Sequence, residues 1–158
     1  MEEALRTAGP ASLPDGGVLE GAFLPSVGAT TVVTGIPGAA HEFFPHLPGQ
    51  TLPPDSAADV VFAASGPGAD PPPGHSANQW ARRLRRAREY GADLHAYEWE
   101  GERSCLAAPV HAPSGKVVAA VGVALVDSRH LSTTAEAVQR AARMVSSNLH
   151  RLPRAGLR

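Results

Sequence analysis

Ser104-Cys105-Leu106-Ala107-Ala108-Pro109-Val110-His111 and Val117-Val118-Ala119-Ala120-Val121-Gly122-Val123-Ala124-Leu125-Val126 flank the linker Ala112-Pro113-Ser114-Gly115-Lys116. Two apolar runs of strand length joined by turn formers read as a β-hairpin, with Gly115 able to take positive φ. Side chains alternate across a strand, so Cys105, Ala107 and Pro109 form one row, and Val118, Ala120, Gly122 and Ala124 a row on the next strand. Small residues on adjacent rows leave volume that bulky ones would fill. They also suit a sheet face that receives a packed helix.

Upstream, Ser76 and Gln79 make a capping box, Trp80, Leu84 and Ala87 share one face, and Gly91 supplies a C-terminal cap. Leu94 to Trp99 is expected to be a further strand. Downstream, a closing helix is expected from Thr133 to Leu152, capped by Thr133 and Glu136. Its apolar stripe comprises Val138, Ala142, Val145, Leu149 and Leu152. Nearer the start, Val18 to Leu24 and Thr30 to Ile36 read as strands. Asp55 is placed as the cap of a short helix bearing Ala57, Val60, Val61 and Ala64. This order predicts an α+β domain, an antiparallel sheet with flanking helices.

Length and composition fit one domain over residues 1–158. Residues 1–17 are read as a linker or short helix, and the Pro/Gly-rich stretch 65–75 as a mobile loop. A net charge of −1 gives no support for general affinity toward nucleic acid or anionic membranes. Cys105 is the one cysteine, so no internal disulfide forms; with no signal peptide read, a cytoplasmic setting is expected. The run Val117–Val126 is shorter than the roughly 20 residues a membrane helix needs.

The stretch Tyr90-Gly91-Ala92, then Glu98, Gly101 and Cys105-Leu106-Ala107-Ala108-Pro109-Val110, resembles the effector-binding domain of the bacterial IclR transcription regulators. Ser114-Gly115-Lys116-Val117-Val118-Ala119-Ala120-Val121 continues that likeness. Pro48-Gly49-Gln50-Thr51-Leu52-Pro53 resembles the family's approach to its short helix, so coverage runs from about Thr30 to Leu149. Two departures stand out. Asp59 and Val60 occupy the region of the family's Gly-Lys or Gly-Arg pair, and the winged helix-turn-helix is not found before the first strand pair. The expectation is a ligand-sensing half without its DNA-reading half.

The resemblance implies a GAF/PAS-like fold enclosing a pocket for a small organic effector. A homodimer or homotetramer is expected, and the near-neutral charge and short apolar run predict no direct nucleic-acid binding by this chain and no membrane contact. The ligand-binding candidates are Cys105, Ala107, Gly122, Ala124, His95, Glu98, Phe43 and Phe44. His95 and Glu98 lie where the family places acidic residues near the pocket mouth, and Phe43-Phe44 are read as a hydrophobic lid. Gly122 and Ala124 stand where the family often presents hydroxyls to a carboxylate, which implies a more apolar or larger ligand here.

Other chemistry is weaker. A reactive thiol needs a thiolate-stabilising neighbour, and Cys105, mid-strand after Ser104, reads instead as a small hydrophobe lining the pocket without reacting. His41-Glu42 with His46 lacks the i,i+4 spacing of helical metal ligands, and Pro45 breaks the segment; no metal or cofactor is expected. Arg82, Arg83, Arg85, Arg86 and Arg88 crowd one helix and read as a solvated face or subunit contact. Three classes stay open: an effector-binding module, an enzyme using His95, Glu98, Cys105 and His111, and a structural interaction domain. No nucleophile-base motif or phosphate loop supports the enzyme.

Overall fold

The hairpin forms where its sequence places it. The computed structural model describes residues 17–26, 29–34, 49–52, 54–67, 69–97, 103–125 and 131–151. Within them, β5 (Arg103–His111) and β6 (Val117–Leu125) pair antiparallel, and Gly115 takes φ +80° in the turn. Strands β1 (Gly17–Ser26), β2 (Ala29–Thr34), β3 (Thr51–Leu52) and β4 (Asp93–Tyr97) complete a six-stranded sheet. Its order is β3-β2-β1-β6-β5-β4, with every pair antiparallel. With the helices below, this is the expected α+β architecture.

Helix α1 (Ala57–Ser65) and helix α2 (Ala77–Tyr90) lie between β3 and β4 in sequence, and α3 (Leu131–Arg151) follows β6. Val138, Ala142 and Val145 of α3 pack on Leu106, Ala108, Val110, Ala119, Val121 and Val123, one face of the hairpin strands. Ala57, Ala58 and Val61 of α1 pack on the opposite face, against Ala107 and Ala120. The other side of α1, Val60 and Ala64, meets Trp80, Leu84 and Ala87 of α2. Helix α1 is therefore sandwiched between sheet and α2, which is why its sequence is apolar nearly all round. Burial of a valine such as Val60, Val110 or Val138, each 0% exposed, contributes on the order of 1.5–3 kcal/mol.

The ends of α2 match their sequence: the Ser76–Gln79 capping box is present and Gly91 adopts φ +64°. Two other caps differ. Ser56, not Asp55, caps α1, because its hydroxyl sits one residue closer and accepts from the Asp59 amide at 3.2 Å. Helix α3 has begun by Leu131, so Thr133 lies inside its first turn. Ser132, Thr133 and Thr134 offer three similar hydroxyls, and the pattern alone does not choose between starts. The stretch 66–76 holds no helix or strand among its described residues, and Trp80 Nε1 donates to the Ala69 carbonyl at 3.0 Å. Residues 1–16, and with them most of the proposed N-terminal linker, fall outside the described residues, as do Ile36, Trp99 and Leu152.

Candidate functional site

Cross-strand register assembles the site on the α1-facing side of the sheet. Cys105 pairs with Ala124, Ala107 with Gly122, and Pro109 with Ala120. On the outer side, His95 pairs with Cys105 and Asp93 with Ala107. On the inner side, Ala124 pairs with Val18 and Gly122 with Gly21. Directly opposed residues share a face, so the two rows read from the sequence run side by side.

Helix α1 does not treat the row evenly. Ala107 and Ala120, 1% and 0% exposed, lie under Ala57, Ala58 and Val61; there, small side chains let a helix approach. Cys105, next along β5, packs at the edge of the same cluster and is only half-buried, and Gly122 is buried beside it. For His95 and Ala124 the register alone is described. Phe43, Phe44 and Glu98 fall outside the described residues, as do His41, Glu42 and His46.

Asp93 adds a charge that the sequence reading did not single out. It opens β4 on the row shared with Ala107 and is 5% exposed. Arg83 of α2 reaches it with three contacts: Nε donates to Oδ1 at 3.3 Å and to Oδ2 at 3.2 Å, and Nη2 donates to Oδ2 at 2.6 Å. Burial pushes the Asp93 carboxyl above its ordinary value near 3.8, while the hydrogen bonds and charge of Arg83 pull it back. Arg83 is 8% exposed, which corrects its placement on a solvated arginine face; the other four arginines of α2 are exposed as expected. Its Nη1 is buried with no partner among the described residues.

A second pair sits at the mouth of α1. Asp55, at φ +77° in the left-handed region, accepts from His75 Nε2 at 2.8 Å, and its own amide donates to Asp59. The His75 and Trp80 rings stand 5.8 Å apart. A non-glycine residue held there is strained, which the His75 and Asp59 contacts offset.

His111 is not brought to this site. It lies six residues along β5 from Cys105, roughly 20 Å at about 3.3 Å per residue, so the two do not form a thiol–imidazole pair. Among the described residues no three His, Cys, Asp or Glu side chains gather as metal ligands, and no helix is long and apolar enough to cross a membrane.

Residues 75–149 match the family model for the C-terminal part of the bacterial transcriptional regulator IclR. No curated protein matches the sequence. Among solved structures, the Agobacterium tumefaciens repressor BlcR is similar at 20% identity and a TM-score of 0.64, over 81% of this chain and 58% of that one. Thermotoga maritima IclR is similar at 15% identity and 0.70, over 93% and 64%. A targeted domain of a putative IclR-family regulator is similar at 22% identity and 0.76, over 96% and 95%. The chain thus spans less than two thirds of the first two and nearly all of the third. Identities this low establish the fold. The family match spans α2, β4, the hairpin and nearly all of α3, so the chain is similar to the IclR C-terminal part over residues 75–149 and shares the fold of such domains.

Proposed function

We propose that this domain senses a small organic effector for a bacterial, cytoplasmic IclR-type regulator and works as a homodimer or homotetramer. The effector sits on the sheet at Cys105, Gly122 and Ala124. His95, opposite Cys105 in register, is a further candidate contact, while Glu98 and Phe43-Phe44 stay candidates outside the described residues. The observation that carries this reading is the uneven cover of the row: α1 seals Ala107 and Ala120 and leaves Cys105 half-buried. Gly122 and Ala124 bring no hydroxyl to a guest, so the effector is more apolar or larger than a simple hydroxyl-bound carboxylate. Its contacts favour one arrangement of subunits over another, and a DNA-reading unit responds to that shift.

A thermal-shift screen with small carboxylic acids and aromatic metabolites tests the reading. A binder at 100 times its Kd stabilises the fold by about 2.7 kcal/mol. Ala124→Leu and Gly122→Leu are expected to abolish the shift while circular dichroism stays native. Binding that survives both would place the pocket elsewhere. Sedimentation with and without the binder reads the change in self-association; an unchanged mass would remove that half of the proposal.

A further inference from the structure

At the far end of the same sheet face lies a cleft of about 410 Å³ that the effector reading does not use. Its apolar floor is Val61 and Ala64 of α1, Ala87 of α2, Pro109 of β5 and Val117 of β6. Its rim carries Arg88, His111 and Lys116, with Gly91 and Gly115 at the turns. No carboxylate lines it among the described residues.

Among the described residues the rim cations have no acidic partner. The ion pairs among the described residues, His75–Asp55 and Arg83–Asp93, involve neither Arg88 nor Lys116. Arg88 is fixed in place: its Nε donates to the Ala64 carbonyl at 2.6 Å. Both of its terminal amino groups are left without a protein partner among the described residues. The Lys116 side chain is exposed, and only its amide is held, by Ser114 Oγ.

Two helix C-termini, α1 and α2, point their partial negative charge at this region, each equivalent to about half an elementary charge. Their carbonyls are largely satisfied. Ser65 Oγ donates to Val61, the Gly66 amide to Ala63, Arg88 to Ala64 and Gln139 to Tyr90. Two full positive charges therefore outweigh the helix ends, and His111 adds a donor. The volume lies at the small end of the roughly 300–1,000 Å³ range of ligand pockets.

We propose that the cleft between the C-terminal ends of α1 and α2 and the β5–β6 hairpin binds a small monocarboxylate with an apolar body. The carboxylate meets Arg88 and Lys116, and the body lies on Val61, Ala64, Ala87 and Val117. Charge complementarity selects the acid, and the floor selects an apolar ring or short branched chain over a bare ion.

Benzoate is a suitable probe, titrated into the whole chain labelled with nitrogen-15 and followed by amide shifts. Expected are saturable shifts at Gly91, His111, Gly115 and Lys116, with benzamide and inorganic phosphate each binding at least about tenfold more weakly. Lys116→Gln and Arg88→Gln should each weaken benzoate by about five- to tenfold. Arg88→Lys should retain part of the affinity, which separates lost charge from lost folding. Ala124→Leu, at the opposite end of the sheet, should leave benzoate binding here unchanged whether or not the effector reading holds.

The proposal fails if benzamide matches benzoate, if phosphate alone matches it, or if the shifts gather around Cys105. Absence of any shift at millimolar benzoate, or full affinity in Lys116→Gln with Arg88→Gln combined, would equally overturn it.

Discussion

The middle of β5 and its hairpin end share a sheet face, yet their surroundings handle charge in opposite ways. Beside mid-β5, where Asp93 pairs with Ala107, a guanidinium and a carboxylate are both nearly buried and spent on each other. At the hairpin end, Arg88 and Lys116 stand exposed with no acidic partner among the described residues. A buried pair fixes where α2 meets β4 and is costly to break. Unpaired surface cations contribute little to folding and remain available to a ligand. The difference separates positions that hold the fold from positions free to bind.

The largest effect is expected from breaking the buried pair. Asp93→Ala leaves Arg83 charged and buried, which costs about 3–5 kcal/mol in urea unfolding. Replacing both partners with apolar residues, Arg83→Met with Asp93→Leu, should recover most of that, since such pairs often exchange for packing at little cost. A single Asp93→Ala that costs under about 1 kcal/mol would erase the contrast. The same carboxyl sets the sign of a pH effect. Its native titration lies above the unfolded value near 3.8, so the stability it contributes is fully present below 3.8. That contribution is lost as pH rises through the native midpoint. A carboxyl-carbon NMR titration of Asp93 with its midpoint at or below 3.8 would reverse this sign.

Two intermediate effects sharpen the comparison between the two places. Ala120 is 0% exposed beneath α1, and Ala120→Leu forces three more carbons into a filled layer, for a loss of about 1–3 kcal/mol. Neutral stability there would mean that α1 yields, and that the sealed part of the row is itself open to guests. Gly91 closes α2 at φ +64° with nothing within 4 Å of an added Cβ. Gly91→Ala therefore meets only backbone strain, about 1–2 kcal/mol, and Gly91→Asn should restore part of it. Thermal melts of the two variants side by side check both values; an Asn variant weaker than Ala would rule out the strain account.

What the sequence made legible follows from the range of each interaction. The capping box of Ser76 and Gln79 and the alternation along β5 and β6 are local patterns, and each appears where expected except near the hairpin turn, where a register shift puts Val117, not Val118, against the α1 cluster. Aspartate suits the cap of α1, yet the neighbouring Ser56 fills that role and Asp55 turns to His75, twenty residues away. Strand β3, two residues long, has no periodicity to detect. Arg83 looks like its four neighbours until α2 is laid against β4, since nothing local marks one arginine as buried. Within the candidate site, the row of Cys105, Ala107, Gly122 and Ala124 was readable from alternation, whereas its uneven cover depends on where α1 lands. The hairpin-end cleft was unreadable for a like reason: its walls come from two helices and two strands joined only by folding.

The smallest stability effect belongs to Lys116, and its smallness is the test. An exposed lysine with no acidic partner among the described residues should tolerate Lys116→Gln within about 0.5 kcal/mol. If the buried pair beside mid-β5 and the hairpin end differ in this way, this variant unfolds at the wild-type urea midpoint while its benzoate affinity drops. Were stability and affinity to fall together, Lys116 would be a structural residue like Arg83. Were neither to move, the hairpin end would be an ordinary solvated surface. A change in affinity alone keeps folding and binding apart on one sheet face.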